Sequence, residues 1–446
     1  MKHIHIIGIG GISLSGLATI LINKGYVVSG SDAHKSDLTQ KLEKLGAKIF
    51  VGHSATNVDG AELVVRSAAI KDDNPEIVEA QRQGIKIIDR AELLGQIASE
   101  YQTVISVAGT HGKTTTTGML ASIFIAANKN PTVHIGGELP IIGGNVFIGG
   151  KKYFITEACE YYDSFLKLSS DYGVITNIQK DHLDYFKNLD NLQKSFEKFA
   201  KNTKYNGLCV TNLDDENCAK IKTKNMIKFS VLSNADYCAT NITEQDQNYS
   251  FNVVEFGKNL GRISLSVPGI HNVSNAMAAI AVARQECIEF ETIKNALETF
   301  CQSKRRYQQL THQSGAVVVH DYAHHPTEIA ATLAVARART RGKLIVVFEP
   351  HTFSRTQYLW KEFCECFVGA DQVIFAPIYP AREEPINGVT SKNLAVAVSE
   401  SGQNAIAAES LDQAHDMLLP YLQKDNTILL LGAGTIVNLA QKFGID

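Results

Sequence analysis

The chain has 446 residues, more than one hydrophobic core usually serves, and at about 100 to 200 residues per domain we expect three domains. Its hydrophobic (44%) and charged (20%) fractions are those of ordinary globular proteins, which excludes a disordered or low-complexity chain. A net charge of −3 with no long basic run excludes nucleic acid or an anionic membrane as the principal partner, so any anionic ligand must be held locally.

The opening stretch MKHIHIIGIGG runs straight into a strand and a glycine turn, without the charged head, apolar core and cleavage site of a secretory leader. No stretch approaches the roughly 18 apolar residues of a membrane span, so a cytoplasmic location is expected. Eight cysteines are scattered, and only Cys364 and Cys366 lie close together. On a helix these two would face different sides, so they read as reduced packing residues, and no CxxC or HxxxH pairing supports zinc.

From residue 1 to 97, apolar runs (HIHII, VVSGSD, ELVVRSAAI) alternate with helical stretches, the pattern of a wound parallel sheet. Its first turn, GIGGIS from Gly8 to Ser13, follows a strand and opens a helix, so backbone amides at Gly8, Gly10 and Gly11 can approach a pyrophosphate. Asp32, ending the second strand, can accept from a ribose hydroxyl. Ser13 stands where the dinucleotide fingerprint has its last glycine, which leaves NAD, another nucleotide diphosphate and a structural turn all open.

The segment 98–302 begins with VAGTHGKTTTTGML, a strand, a glycine-bounded loop and a helix. The standard phosphate loop needs glycine at the position of Val107, and this one is the shorter GxxGKT. The physics survives: amides and a helix N-terminus from Gly109 through Thr110, His111, Gly112 and Thr115 face an anion, Lys113 supplies a charge, and Thr114 can ligate Mg²⁺. Strands and helices alternate again over 303–446, predicting a further parallel sheet. The fold class is therefore α/β in three domains: a Rossmann-like N-terminal domain, a central P-loop ATPase-like domain and a Rossmann-like C-terminal domain.

A phosphate loop serves kinases, ATPases and ligases alike, so the other polar groups decide. In YFITEACEYYDSFL, Glu157 ends a strand and is the expected metal ligand, with Glu160 supporting or solvated. His182 in VITNIQKDHLDYF follows a second strand and is placed at metal or phosphate. PGIHNVSNAM offers His271, Asn272 and Asn275 either to a base or as an ordinary helix start. Arg305 and Arg306 in KRRYQQL read as phosphate-facing cations or a solvated pair. HDYAHHPTEI gathers Asp321, Tyr322, His324 and His325 before a helix opened by Pro326. FEPHTFSRT adds His351 and Arg355, and YPAREEP adds Arg382; either arginine can bind a carboxylate.

Taken together, GTHGKTTTT, EACEYYDSFL, TNIQKDHLDYF, GIHNVSNAMAA, SKRRYQ, DYAHHPTEI and PHTFSRT occur in the order and spacing of the Mur ligase family, which the chain resembles along essentially its whole length. The EACEY and DYAHHP forms resemble its alanine-adding branch. The tripeptide-recycling branch usually reads EADEY, and it stands as the alternative. A dehydrogenase built on the first domain leaves GTHGKT unexplained, and a regulator without ligase activity leaves the metal set unexplained.

The resemblance implies ATP and Mg²⁺ (Mn²⁺ as a substitute) as cofactors, with UDP-N-acetylmuramate and L-alanine as the other substrates of a monomer or homodimer. It implies domains at 1–97 for the UDP-sugar, 98–302 for ATP, and 303–446 for the amino acid and for closing over ATP. Lys113 would bridge the β and γ phosphates, Thr114 and Glu157 hold one Mg²⁺, and His182 a second. His271, Asn272 and Asn275 match adenine-side contacts, Arg306 a phosphate contact and Asp321 a ribose contact. Tyr322, His324 and Arg355 would form the amino-acid pocket. Gly8, Gly10, Gly11, Ser31, Asp32 and Ser67 would hold the UDP-sugar instead of NAD. Two departures stand out: Phe196 occupies the position of a carbamylated lysine found in several relatives, with Lys194 nearby, and Thr352 replaces an arginine of some alanine-adding enzymes. A hinge is expected near 302.

Overall fold

The computed structural model describes residues 2–245 and 248–444. Five parallel strands form the first sheet: β1 (His3–Ile7), β2 (Val27–Asp32), β3 (Lys48–Val51), β4 (Leu63–Arg66) and β5 (Lys86–Asp89), in the order β3-β2-β1-β4-β5. Such an order reverses direction beside β1, so the crevice at the strand ends opens where Gly8–Gly11 and Asp32 stand. The near-continuous apolar runs of β1 and β4 follow from burial on both faces.

The second sheet contains β6 (Thr103–Ala108), β7 (Thr132–Leu139), β8 (Gly144–Phe147), β9 (Tyr153–Glu157), β10 (Ser170–Ile175), β11 (Thr203–Asn212), β12 (Met226–Ser230), β13 (Tyr237–Gln245), β14 (Asn248–Glu255) and β15 (Lys258–Ser264). Its order is β15-β14-β13-β12-β11-β10-β6-β9-β7-β8, parallel from β13 through β7 and antiparallel at both edges. The sequence reading did not anticipate the antiparallel wing of β13 to β15. The helices Lys113–Ala126 and Ile270–Gln285 cover one face of the parallel core. Ala276 to Ala283 are all buried there, and their small side chains let the two helices approach closely.

The third sheet is β16 (Gln308–Thr311), β17 (Val317–Asp321), β18 (Leu344–Phe348), β19 (Gln372–Phe375), β20 (Ala405–Ala407) and β21 (Thr427–Leu431), in the order β16-β17-β21-β18-β19-β20, with only β16 antiparallel. Apolar clusters fill both of its faces. The chain is thus an α/β protein with three sheet-containing domains, as its alternation of strands and helices predicts.

The first two units share a packed core in which the helix Ile12–Asn23 lies against β7 and β8. Gly16 marks a close approach: an added Cβ would stand 2.9 Å from the His134 ring and 3.2 Å from Asn145. Ser13, the residue that departs from the dinucleotide fingerprint, receives a hydrogen bond from Arg90 at 3.3 Å and meets His134 Nε2 at 3.3 Å. Its departure thus serves packing between the first two units.

Candidate active site

The loop between β6 and the helix Lys113–Ala126 has φ of 139° at Gly109 and 83° at Gly112, both outside the range open to other residues. Space forbids a side chain as well. An added Cβ would fall 2.0 Å from Thr176 Oγ1 at Gly109, and 2.4 Å from Asn275 Oδ1 at Gly112. Asn177 braces the loop, its Oδ1 accepting from His111 N at 2.8 Å and its carbonyl from Thr110 N at 3.0 Å. Thr115 lies on the first turn of the helix and lines the cleft described below.

Lys113 Nζ donates to both oxygens of Glu160, at 3.0 and 2.9 Å, and to the Gly109 carbonyl. Burial pulls the lysine down, but Glu160, with Cys159 and Glu157 behind it, outweighs that and holds it above its ordinary range, so it stays charged. Glu160 itself is only 1% exposed. Of its two sequence readings, support of the loop holds and solvation does not.

Glu157 and Thr114 each border one of two neighbouring glycines in β7. A Cβ on Gly136 would lie 3.0 Å from Glu157 Oε2, and one on Gly137 would lie 3.3 Å from Thr114 Cγ2. Glu157 Oε1 accepts from Gly136 N at 2.7 Å. His182 caps a short helix with φ of 52°, a strained value for this residue type, and its ring stacks on Tyr161 at 4.3 Å and 22°. His182 Nε2 is 4.0 Å from Glu160 Oε1, so one buried carboxylate faces both the phosphate-loop lysine and the histidine. Among the described residues, no three His, Cys, Asp or Glu side chains converge as a metal site.

A cleft of about 320 Å³ opens beside this loop, between the second and third sheets. His271, Asn272 and Asn275 line it from one side, and Arg306, Asp321 and Glu328 from the other. Gly269 caps the helix Ile270–Gln285, so His271 and Asn272 stand in its first turn without capping it, while Asn272 and Asn275 are buried as at an ordinary helix start. Asn275 Nδ2 donates to Asn272 Oδ1 at 3.1 Å, and Asn272 Nδ2 to the Pro268 carbonyl at 2.6 Å, which fixes both amides at the wall. Asp321 accepts from Tyr307 N at 2.7 Å and Ala323 N at 2.8 Å. Burial nevertheless pushes its carboxyl up to about 6, with Arg306 opposing.

Glu328, which the sequence reading passed over, joins His111 Nδ1 at 3.1 Å, His324 N at 3.1 Å and Arg306 at 3.9 Å. Burial works against its ionisation, but His324, His111 and Arg306 together hold it well below the usual carboxylate range. Its place in the first turn of the helix Pro326–Arg339, inside DYAHHPTEI, was the available signal. His325 caps that helix, accepting from Thr327 N at 3.3 Å, while its Nε2 meets the Lys180 carbonyl at 3.0 Å.

A second cavity, of about 120 Å³, lies where His182, Tyr161 and Asp181 face Arg355, Thr352 and Arg382. Arg355 Nε and Nη2 both donate to Asp181 Oδ1, at 3.1 and 3.0 Å, and Nη1 donates to His351. Tyr322 and His324 do not reach this lining, against the expectation of one pocket formed with Arg355. The Arg305 and Arg306 guanidiniums sit over the Tyr322 ring at 4.7 and 5.2 Å, and His324 lies 5.8 Å from the His351 ring, one side chain removed from the cavity. At the position of the relatives' carbamylated lysine, Phe196 is buried against Phe165 while Lys194 is exposed.

In the first domain, Gly8 (φ 81°) donates to the Ser31 carbonyl at 2.8 Å, and Gly10 N donates to Asp32 Oδ2 at 2.9 Å. Gly11 follows as the N-cap of the helix Ile12–Asn23, and a Cβ on Gly8 would come 3.3 Å from Ser67 Cβ. Ser31 corrects the sequence reading. Its hydroxyl is buried and donates to Glu76 at 2.7 Å, so only its backbone serves the turn.

Residues 3–102, 107–283 and 305–434 match, in turn, the Mur ligase family's catalytic domain, the Mur ligase middle domain and the Mur ligase glutamate ligase domain. The chain is 44% identical over 447 residues to the UDP-N-acetylmuramate--L-alanine ligase of Acetivibrio thermocellus, covering 99% of this chain and 95% of the relative. It is 43% identical to the enzyme of that name from Caldicellulosiruptor saccharolyticus, over 98% of this chain and 97% of the relative. The crystal structure of a UDP-N-acetylmuramate-alanine ligase from Thermotoga maritima superposes with a TM-score of 0.85 at 31% identity, covering 100% of this chain and 98% of that one.

Proposed function

The chain belongs to the Mur ligase family, and from that premise we propose that it joins L-alanine to the lactyl carboxylate of UDP-N-acetylmuramate with cleavage of ATP to ADP and phosphate. The observation that carries this reading is a continuous site. A glycine-bounded phosphate loop with a charged lysine opens on the larger cleft, and Glu160 links that lysine to His182, which lines the smaller cavity.

A carboxylate is a poor electrophile, and phosphorylating it converts an oxygen into a leaving group. The carboxylate attacks the γ-phosphorus of ATP to give an acyl phosphate and ADP. The neutral amine of alanine then adds to the acyl carbon, and the tetrahedral intermediate expels phosphate to leave the amide. Catalysis is mainly positioning and charge neutralisation. Lys113 faces the β and γ phosphates, and Arg306 approaches the γ-phosphate from the third domain. His271, Asn272 and Asn275 hold the adenine side, and Asp321 accepts from the ribose. Gly8, Gly10, Gly11, Asp32 and Ser67 hold the UDP-sugar, with Ser31 bracing them through its carbonyl.

The donors present suit Mg²⁺, a hard cation usually held by one or two protein groups together with substrate phosphate oxygens. Thr114 and Glu157, which border the neighbouring Gly137 and Gly136, would hold one ion and His182 a second, and the ions would neutralise phosphate charge. No helix among the described residues is long and apolar enough to cross a membrane.

The test is phosphate release from ATP with Mg²⁺ and UDP-N-acetylmuramate, with mass spectrometry of the product, in the presence of L-alanine or of the L-Ala-γ-D-Glu-diaminopimelate tripeptide. Release that depends on L-alanine, with one alanine added to the sugar nucleotide, is the expected result. Turnover with the tripeptide alone would move the chain to the recycling branch.

A further inference from the structure

We propose that Arg382 binds the carboxylate of the incoming amino acid, acting as a specificity-determining residue beside Arg355. The inference rests on the amino-acid ligation just described and deepens it.

Arg355 is the obvious cation in the smaller cavity, but four of its five N–H donors are already committed. A guanidinium has five N–H donors. Nε and Nη2 both donate to Asp181, and Nη1 donates to the ring nitrogen and carbonyl of His351. Asp181 and Arg355 are 8% and 9% exposed as side chains, so this is a buried, neutralised pair, and removing either charge from the other is costly. Asp181 is further fixed by accepting from His182 N at 2.8 Å. A substrate carboxylate would have to displace Asp181 or His351 to bind Arg355 bidentately.

Arg382 is in the opposite condition. It lines the same cavity, is exposed, and has no carboxylate within ion-pair distance among the described residues. Its guanidinium stands 5.6 Å from the centre of the Tyr161 ring, and Tyr161 in turn stacks on His182. This cation–π contact orients the group without consuming its in-plane donors.

The loop that carries it is pinned at both neighbours. Ala381 is held at φ 52°, and Glu383 accepts from Ser354 N at 2.8 Å and from Ser354 Oγ at 2.5 Å, tying the loop to the helix Phe353–Tyr358 that also carries Arg355. Tyr161 contacts both Arg382 and His182, so the cation and the imidazole share one aromatic neighbour in the cavity. The cavity of about 120 Å³ has room for a small amino acid.

Steady-state kinetics with L-alanine and with L-alaninamide test this in the wild type, Arg382→Met and Arg382→Lys. Alaninamide keeps the amine and lacks the charged carboxylate. We expect Arg382→Met to raise the KM for L-alanine roughly 10- to 100-fold, the size of a lost charge-assisted contact, with the KM values for ATP and UDP-N-acetylmuramate within about twofold. Its preference for L-alanine over L-alaninamide should collapse, and Arg382→Lys should recover part of it. Trapping the acyl phosphate with hydroxylamine reads the first half-reaction alone, which should proceed in Arg382→Met.

An unchanged KM for L-alanine, or an undiminished preference over the amide, would overturn the role of Arg382. So would an equal loss of hydroxamate and of amide product. A wild type that forms hydroxamate but uses no L-alanine would instead overturn the amino-acid assignment on which the inference rests.

Discussion

Two glycine turns, each between a buried strand and a helix, look alike in this chain and are built for different tasks. At Gly8–Gly11 the turn is closed by an acid: Asp32 accepts from Gly10 N, and the nearest groups are acceptors and small hydroxyls. At Gly109–Thr114 the turn is closed by a base: Lys113 lies across its own loop carbonyl and is anchored by buried Glu160. The amides of Gly8, Gly10 and Gly11 donate to the Ser31 carbonyl, Asp32 and the Gly8 carbonyl, so the acid beside the first turn and the lysine beside the second distinguish the two. On the proposed function, the same strand-turn-helix unit serves two different nucleotides.

The comparison is broken most strongly by filling one turn at a time. Gly112→Ala forces a left-handed φ and a Cβ 2.4 Å from Asn275 Oδ1. We expect kcat/KM for ATP to fall on the order of 100-fold, with the Kd for UDP-N-acetylmuramate unchanged. Gly10→Ala places a Cβ 2.9 Å from Asp32 Oδ2 and should do the converse, raising the KM for the UDP-sugar roughly 10-fold at constant KM for ATP. Steady-state kinetics on the two variants read both effects, and equal losses for both nucleotides in either variant would contradict the separation.

A second contrast concerns the carboxylates behind the turns. Glu76 is fully buried behind Ser31, with Asn57 Nδ2 at 2.6 Å, His53 Nδ1 at 2.9 Å and His5 Nε2 at 3.5 Å. Burial raises its pKa, but the neighbouring His5 imidazole and hydrogen bonds with Ser31, Asn57 and His53 prevail and lower it to about 2. A carboxylate depressed in this way contributes stability that is present above its ordinary pKa of 4.5 and lost as pH falls toward 2. Glu76→Ala strands several buried partners and should cost about 3–5 kcal/mol in denaturant unfolding, with Glu76→Gln costing less. The variant should also lose the acid-limb dependence of stability that Glu76 supplies.

The smallest expected effect belongs to Asp321, whose carboxyl is raised to about 6. Here the sign reverses. Between its ordinary 3.8 and about 6 the folded chain holds a proton that the unfolded chain has released, so its contribution to stability declines as pH rises through that window. For the nucleotide, the ionised acceptor is lost as pH falls through about 6. The KM for ATP should therefore rise a few-fold from pH 7.5 to about 5.5 in the wild type, and stay flat in Asp321→Asn.

Local features were the legible ones. Glycine spacing, a lysine before a threonine run and strand-terminal acids mark the phosphate loop and Glu157 because backbone geometry and helix ends act over a few residues. Roles set by distant partners were harder to read. Glu160 meets Lys113 across 47 positions, Asp181 meets Arg355 across 174, and Glu328 meets His111 across 217, so no window of sequence pairs them. Ser31 was misread for the same reason, since Glu76, 45 positions away, turns its hydroxyl inward. The antiparallel wing escaped notice because half of β13 is exposed and polar, which blurs the alternation that marks a strand.

The most direct measurement of the two-site account is a pair of calorimetric titrations, UDP-N-acetylmuramate and a non-hydrolysable ATP analogue, on the wild type, Gly10→Ala and the double variant Lys113→Met/Glu160→Gln. The double variant avoids leaving Glu160 as an unpaired buried charge. The account predicts crossed losses: weaker UDP-sugar with intact analogue binding in Gly10→Ala, and the reverse in the double variant. Loss of both ligands in the same variant would contradict it.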